Sequence, residues 1–107
     1  MSSQSSQISN AFQAFVTQAP EHAQAWSTMV QHISKASALD KKTSVLAYLS
    51  VLAALRLENG IPFHVQEAKR LGVSRQEVIS AILIGLPAAG NCVTQVLPAA
   101  LATFDSE

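Results

Sequence analysis

Two stretches of this 107-residue chain, Val45 to Leu55 and Val78 to Gly90, are apolar nearly all the way round a helix, and nothing else in the sequence restricts the fold as much. Both fall short of the ~20 residues that span a bilayer, and Ser50 and Ser80 interrupt them, so they read as buried helices rather than membrane spans. One small domain has room for a single core and buries roughly two-thirds of its unfolded surface. Two helices without a polar side cannot both be central to that core, so one face of each is expected to meet another subunit. The charge content agrees: only 13% of residues are charged, against about 25% in a typical soluble domain.

The seven basic residues (Lys35, Lys41, Lys42, Arg56, Lys69, Arg70 and Arg75) balance seven acids and are scattered in ones and twos. Without a basic stripe, nucleic acid is not an expected partner. Cys92 is the one cysteine, which excludes an intrachain disulfide framework, a Cys-x-x-Cys redox pair and a cysteine-rich zinc site, and favours a reducing, cytoplasmic setting. Residues 1–7 are Ser/Gln-rich and lack the basic start and apolar middle of a signal peptide, so they read as a disordered tail before one helical domain at residues 8–107.

No segment alternates apolar and polar residues between turn clusters, so strands are not expected. The helix punctuation predicts an all-α chain of about six helices. The first runs near Ile8 to Thr17, and the second from Pro20 to about Ser37, with Trp26, Met29, Val30 and Ile33 as its apolar stripe. Asp40 suits the N-cap of a third helix that continues to Asn59 and Gly60. Pro62 starts a fourth, Phe63 to Leu71, closed by Gly72 as a left-handed cap. Ser74 and Glu77 form a capping box for a fifth helix running to about Gly85. Pro87 starts a last helix toward Phe104, bent near Pro98.

His64 is the residue whose placement suggests chemistry. In the first turn of the fourth helix it lies near the positive end of the helix dipole, which disfavours the imidazolium and suits proton transfer. The competing reading is a histidine that caps or packs between helices with no chemical role. Glu67, one turn on, can orient the ring, and Glu58 near the helix break is a second acidic candidate; either can equally be a solvated surface group. Cys92 lies among Val93, Val96 and Leu97 and reads as a small core residue, though a thiol near a helix start can be activated. His22 and His32 read as ordinary helix residues. With no third ligand at metal spacing, no metal site is expected.

The run Leu39, Asp40, Lys41, Lys42, Thr43 before an apolar helix, then His64, Ala68 and Gly72 at steps of four, then Ser74, Arg75, Gln76, Glu77, Val78 opening the next helix, resembles the carboxymuconolactone decarboxylase and alkylhydroperoxidase D-like family. The likeness covers about Leu39 to Phe104 and includes Gly85 to Ala89. It implies the alkylhydroperoxidase D-like helical fold and association into trimers or hexamers. The peroxidase branch of that family carries two cysteines, seven and four residues before the histidine, with a second histidine between them and a glutamate nineteen residues before. Here those positions hold Leu57, Gly60, Asn59 and Val45. Dithiol peroxidase chemistry has therefore lost its nucleophile and its resolving thiol.

The decarboxylase branch needs only a shaped pocket and a proton source, with no cofactor. What the resemblance implies is thus a cofactor-independent enzyme acting on a small organic acid or lactone, with His64 in proton transfer and Glu58 and Glu67 as supporting carboxylates. The alternatives are an alkylhydroperoxidase-like antioxidant that has lost its redox cysteines and a non-catalytic oligomer that only binds a small molecule.

Overall fold

The computed structural model describes residues 8–106; the tail expected at residues 1–7 lies outside them. Among the described residues the chain is all-α, with no strand. Its helices are α1 (Asn10–Gln18), α2 (Pro20–Ala36), α3 (Lys41–Ala54), α4 (Ile61–Arg70), α5 (Arg75–Leu83), α6 (Leu86–Ala89) and α7 (Leu97–Asp105). Short 3-10 turns at Glu58–Gly60 and Asn91–Val96 precede α4 and α7. Pro20, Pro62, Pro87 and Pro98 each sit at the first or second position of a helix, where the missing N–H breaks no helical bond.

The chain divides into two compact units at Asp40 and Lys41. In the first, the Ser9 hydroxyl caps α1 by accepting from the Phe12 amide at 3.1 Å. Phe12 and Phe15 of α1 set their rings against Trp26 of α2, with centroids 5.3 and 6.4 Å away. These edge contacts tie the two helices together, yet neither helix buries a residue. The stripe Trp26, Met29, Val30 and Ile33 stays open to solvent, Ile33 to 61%.

The second unit holds the core. Val45, Leu49, Leu52 and Ala53 of α3 meet Ile61, Val65 and Ala68 of α4 and Val78, Ala81 and Ile82 of α5, with Val93, Val96 and Ala100 closing the far side. Helix α3 packs on α4 and α5, and α4 packs on α7. Across the α3/α5 seam the Ser50 hydroxyl donates to the Ala81 carbonyl at 2.7 Å, a polar stitch in an otherwise apolar contact. The capping box forms as the sequence predicts: Ser74 accepts from the Glu77 amide, and Glu77 accepts from the Ser74 amide.

Two helix ends share one backbone solution. At the end of α4, the Val73 amide donates to the Ala68 carbonyl and the Gly72 amide to that of Lys69, with Gly72 at φ 84°. At the end of α3, the Leu57 amide donates to the Leu52 carbonyl and the Arg56 amide to that of Ala53, with Arg56 at φ 59°. Both are left-handed caps of the Schellman type. The third helix therefore stops short of the Asn59 and Gly60 expected to end it, because Arg56 takes up the left-handed conformation and the chain turns there.

The last helix also differs from expectation. Gly90, at φ 84° and ψ −171°, breaks the continuous helix foreseen from Pro87 into α6, a 3-10 turn and α7. Pro98 starts α7 rather than bending a longer helix. The end of α7 is held from two sides. The Lys69 ammonium donates to the carbonyls of Phe104 and Ser106 at 2.7 and 2.6 Å, and Arg75 pairs with Asp105 at 2.9 Å.

Candidate functional site

Helix α4 begins at Ile61, so His64 falls at its fourth residue, between Ile61 and Val65, which are both fully buried. That spacing leaves the imidazole on the border of the core, half-buried. Phe63 sets its ring edge against it at 5.2 Å between centroids. From α3, the Tyr48 ring packs across it at 4.6 Å with 52° between the planes. Burial pulls the His64 pKa below its ordinary value, and the Glu67 carboxylate pulls it the other way more weakly. The imidazole is therefore predominantly neutral at pH 7.

Of the two candidate carboxylates, Glu67 acts on His64 through its field, but its oxygen is engaged by the Arg70 guanidinium one turn further along α4. Glu58 lies exposed in the 3-10 turn before α4 and is not among the groups that act on His64. Tyr48 is the residue that sequence reasoning missed. It lies one turn after Val45, which stands where the peroxidase branch has its glutamate and is itself buried in the core. Tyr48 and Val51 of α3 and Leu55 just after it recur at helical spacing and remain about half exposed, and Tyr48 of this row meets His64. The regular spacing is visible in the sequence, but an apolar helix does not disclose which of its flanks meets the histidine.

The opposite flank of α3 lines a different feature. Thr43, Leu46, Ala47 and Ser50 face Gln76, Glu77, Ser80, Ala81 and Ile84 of the α5 region across a cavity of about 430 Å³. Its floor is aliphatic, and its polar rim includes Glu77, whose carboxylate is held below the usual range first by the Ser74 amide and then by Lys42, 3.6 Å away. Neither His64 nor the residues of the Glu58–Gly60 turn line this cavity.

The positions of the absent cysteines are structurally occupied. Leu57 follows the Arg56 cap, and a Cβ on Gly60 would come within 3.3 Å of a Leu52 methyl, so Gly60 fits closely against the core. Cys92 packs half-buried against the core from the second 3-10 turn, its thiol donating to the Ala89 carbonyl at 3.3 Å. Among the described residues no three His, Cys, Asp or Glu side chains gather as a metal site would require.

The family model for the carboxymuconolactone decarboxylase family matches residues 20–102, which run from α2 into α7. The chain belongs to that family. The match begins at the first residue of α2, ahead of the Leu39 at which the motifs themselves begin, so the Trp26 to Ile33 stripe falls within the family region. No curated protein and no solved structure matches the chain. For a member of the carboxymuconolactone decarboxylase family, the His64 border of α4 is the candidate site. No helix of the described residues is long and apolar enough to cross a membrane.

Proposed function

We propose that this family member is a cofactor-independent, decarboxylase-like enzyme acting on a small organic acid or lactone, with His64 as the proton-transfer group. The observation that supports it is the setting of His64: a half-buried imidazole, destabilised in its charged form, beside an aromatic ring that solvent still reaches. Decarboxylation breaks the bond between carbon and carboxylate, leaves the electron pair on carbon and consumes one proton while CO2 departs. The imidazolium form of His64 supplies that proton; burial makes this form a stronger acid and a scarcer one at pH 7. Glu67 partly offsets the burial, and Glu58, exposed in the turn before α4, is the second carboxylate of this reading. Without thiols at positions 57 and 60, a peroxidase role has no comparable support.

The reading includes a homo-oligomer, a trimer or hexamer as the family resemblance implies, in a cytoplasmic setting. Its support is the exposed apolar stripes of α2 and α3 and the 71% exposure of Ile84 at the end of α5. One observation favours a second role. The α3/α5 depression is open and excludes His64, so any ligand held there would be bound without the imidazole, as in a binding protein without catalysis.

The test is a panel of small carboxylic acids and carboxylated lactones incubated with the protein in D2O and followed by NMR for CO2 loss and deuterium uptake at carbon. Turnover of at least one compound, slowed about 10²- to 10⁴-fold by His64→Ala, is the expected result. Turnover indifferent to His64→Ala removes His64 as the proton-transfer group, and no turnover across the panel removes the enzymatic reading.

A further inference from the structure

We infer that Tyr48 is the positioning residue of the His64 site: its ring, packed against the imidazole from the neighbouring helix, fixes the orientation of the imidazole and keeps water off one of its faces. The assignment rests, for its catalytic meaning, on the role proposed for His64.

The α4 backbone at His64 is rigid, anchored by the buried Ile61, Val65 and Ala68, but two side-chain torsions still decide where the ring nitrogens point. Two aromatic rings flank the imidazole. Phe63, its own neighbour in sequence, approaches at 81° between planes, and Tyr48 reaches it from α3 at 4.6 Å. Two rings arriving from two helices at different tilts leave little freedom in either torsion. Held by ring packing rather than by a hydrogen bond, the neutral imidazole keeps its bare nitrogen free to take up a proton and its N–H free to give one, which a proton-transfer group requires.

Tyr48 is 45% exposed and lies outside the buried core, and its ring packs from α3 against that of His64. The charges of that helix, Lys41 and Lys42, lie at its far end, with Lys42 turned to Glu77. On α4 the charged group acting on His64 is Glu67, itself paired with Arg70, while Glu58 in the preceding turn and Lys69 and Asp105 at the α7 contact are not among the groups that act on it. A change at position 48 therefore alters the burial of His64 without altering its charged neighbours.

The experiment is long-range ¹H–¹⁵N NMR of the imidazoles in the full chain, with the His64 signals assigned by their loss in His64→Ala, comparing Tyr48→Phe, Tyr48→Leu and Tyr48→Ala. Tyr48→Phe keeps the ring, so the titration midpoint and tautomer ratio of His64 should stay as in the parent. Tyr48→Ala should move the midpoint up toward 6.5 and draw the tautomer ratio toward that of free histidine. Tyr48→Leu, which keeps bulk should Tyr48→Ala not fold, should fall between the two. On a substrate found by the panel, Tyr48→Ala should lower kcat at least tenfold while KM changes less than threefold, and Tyr48→Phe should change neither.

A folded Tyr48→Ala or Tyr48→Leu protein whose His64 titrates and tautomerises as in the parent overturns the assignment. So does a Tyr48→Phe protein as impaired as Tyr48→Ala, because the hydroxyl rather than the ring would then be what matters. If the NMR changes appear and no compound is turned over, the positioning role stands and the enzymatic reading of His64 is what has failed.

Discussion

Residues 8–40 and residues 41–106 use the same helical vocabulary to opposite ends. The first unit sets Trp26, Met29, Val30 and Ile33 on one stripe, where Trp26 meets Phe12 and Phe15, and buries none of them fully. The second has helices with barely any polar side, and from α3, α4, α5, α7 and the 3-10 turn before α7 it builds a core with ten side chains sealed from solvent. A regular stripe advertises where a helix would dock, but it stabilises nothing until something docks there. Helices that are apolar all round can satisfy a core with one face and still leave another exposed, here Tyr48, Val51 and the Leu55 that follows α3, with Tyr48 against the candidate site.

The sharpest test of that contrast removes one large side chain from each unit. Leu49→Ala, at a position with no exposure, should cost about 3 kcal/mol in chemical denaturation. Ile33→Ala should change the unfolding of a dissociated chain by less than about 0.5 kcal/mol, and instead weaken association measured by light scattering. Equal costs at the two sites would show that the first unit has an interior after all. A parent protein that stays monomeric at micromolar concentration would remove the subunit expected to cover the stripe.

A smaller effect sharpens the picture inside the second unit, where the two left-handed caps carry different residues. Gly72→Ala forces a Cβ into the conformation that glycine tolerates and should destabilise by about 1 kcal/mol. Arg56→Gly relieves the same strain at the end of α3 and should stabilise by about 0.5–1 kcal/mol, less the entropy that glycine adds to the unfolded chain. Thermal unfolding of the two variants side by side reads both signs.

The smallest expected effect is on pH dependence, and it belongs to the second unit, which carries His64. The folded protein holds the His64 pKa below its ordinary 6.5. Between the two values the unfolded chain binds more protons than the folded one, so this contribution to stability is intact above pH 6.5 and is lost as pH falls through and below it. Denaturation midpoints measured from pH 7.5 down to 5 should therefore decline more steeply in the parent than in His64→Gln.

Much of the second unit is legible in the sequence. Ser74 and Glu77 announce a helix start because the reciprocal hydrogen bonds need only those two side chains at that spacing, and Gly72 announces a helix end because its conformation is cheap for glycine alone. Arg56 is the counterexample. It ends α3 in the same conformation without a residue that signals it, so the helix reads through to Asn59 and Gly60. His64 can be singled out by its place in a first turn. Tyr48 cannot, because its meaning comes from the rotation of α3 about its axis, which is set by Val45, Leu49 and Leu52 finding α4 and α5. The break at Gly90 is hidden for a related reason: a glycine within a helical pattern is tolerated as often as it interrupts.

The anchoring of the α7 terminus bears on the order in which the second unit becomes stable. Helices α3, α4 and α5 follow one another through short connections, so their hairpins close cheaply and fast. The contacts of Lys69 with Phe104 and Ser106, and of Arg75 with Asp105, join positions 30 to 37 residues apart. That return must wait until α4 and the start of α5 exist as a surface to receive it. In the native protein the same seam, fastened by exposed polar contacts and Ala100, is where opening should begin, so amides of α7 should exchange with solvent sooner than those of α4. Each opening uncovers the α4 helix that carries His64, and the candidate site thereby inherits the kinetics of a helix that takes no part in its chemistry.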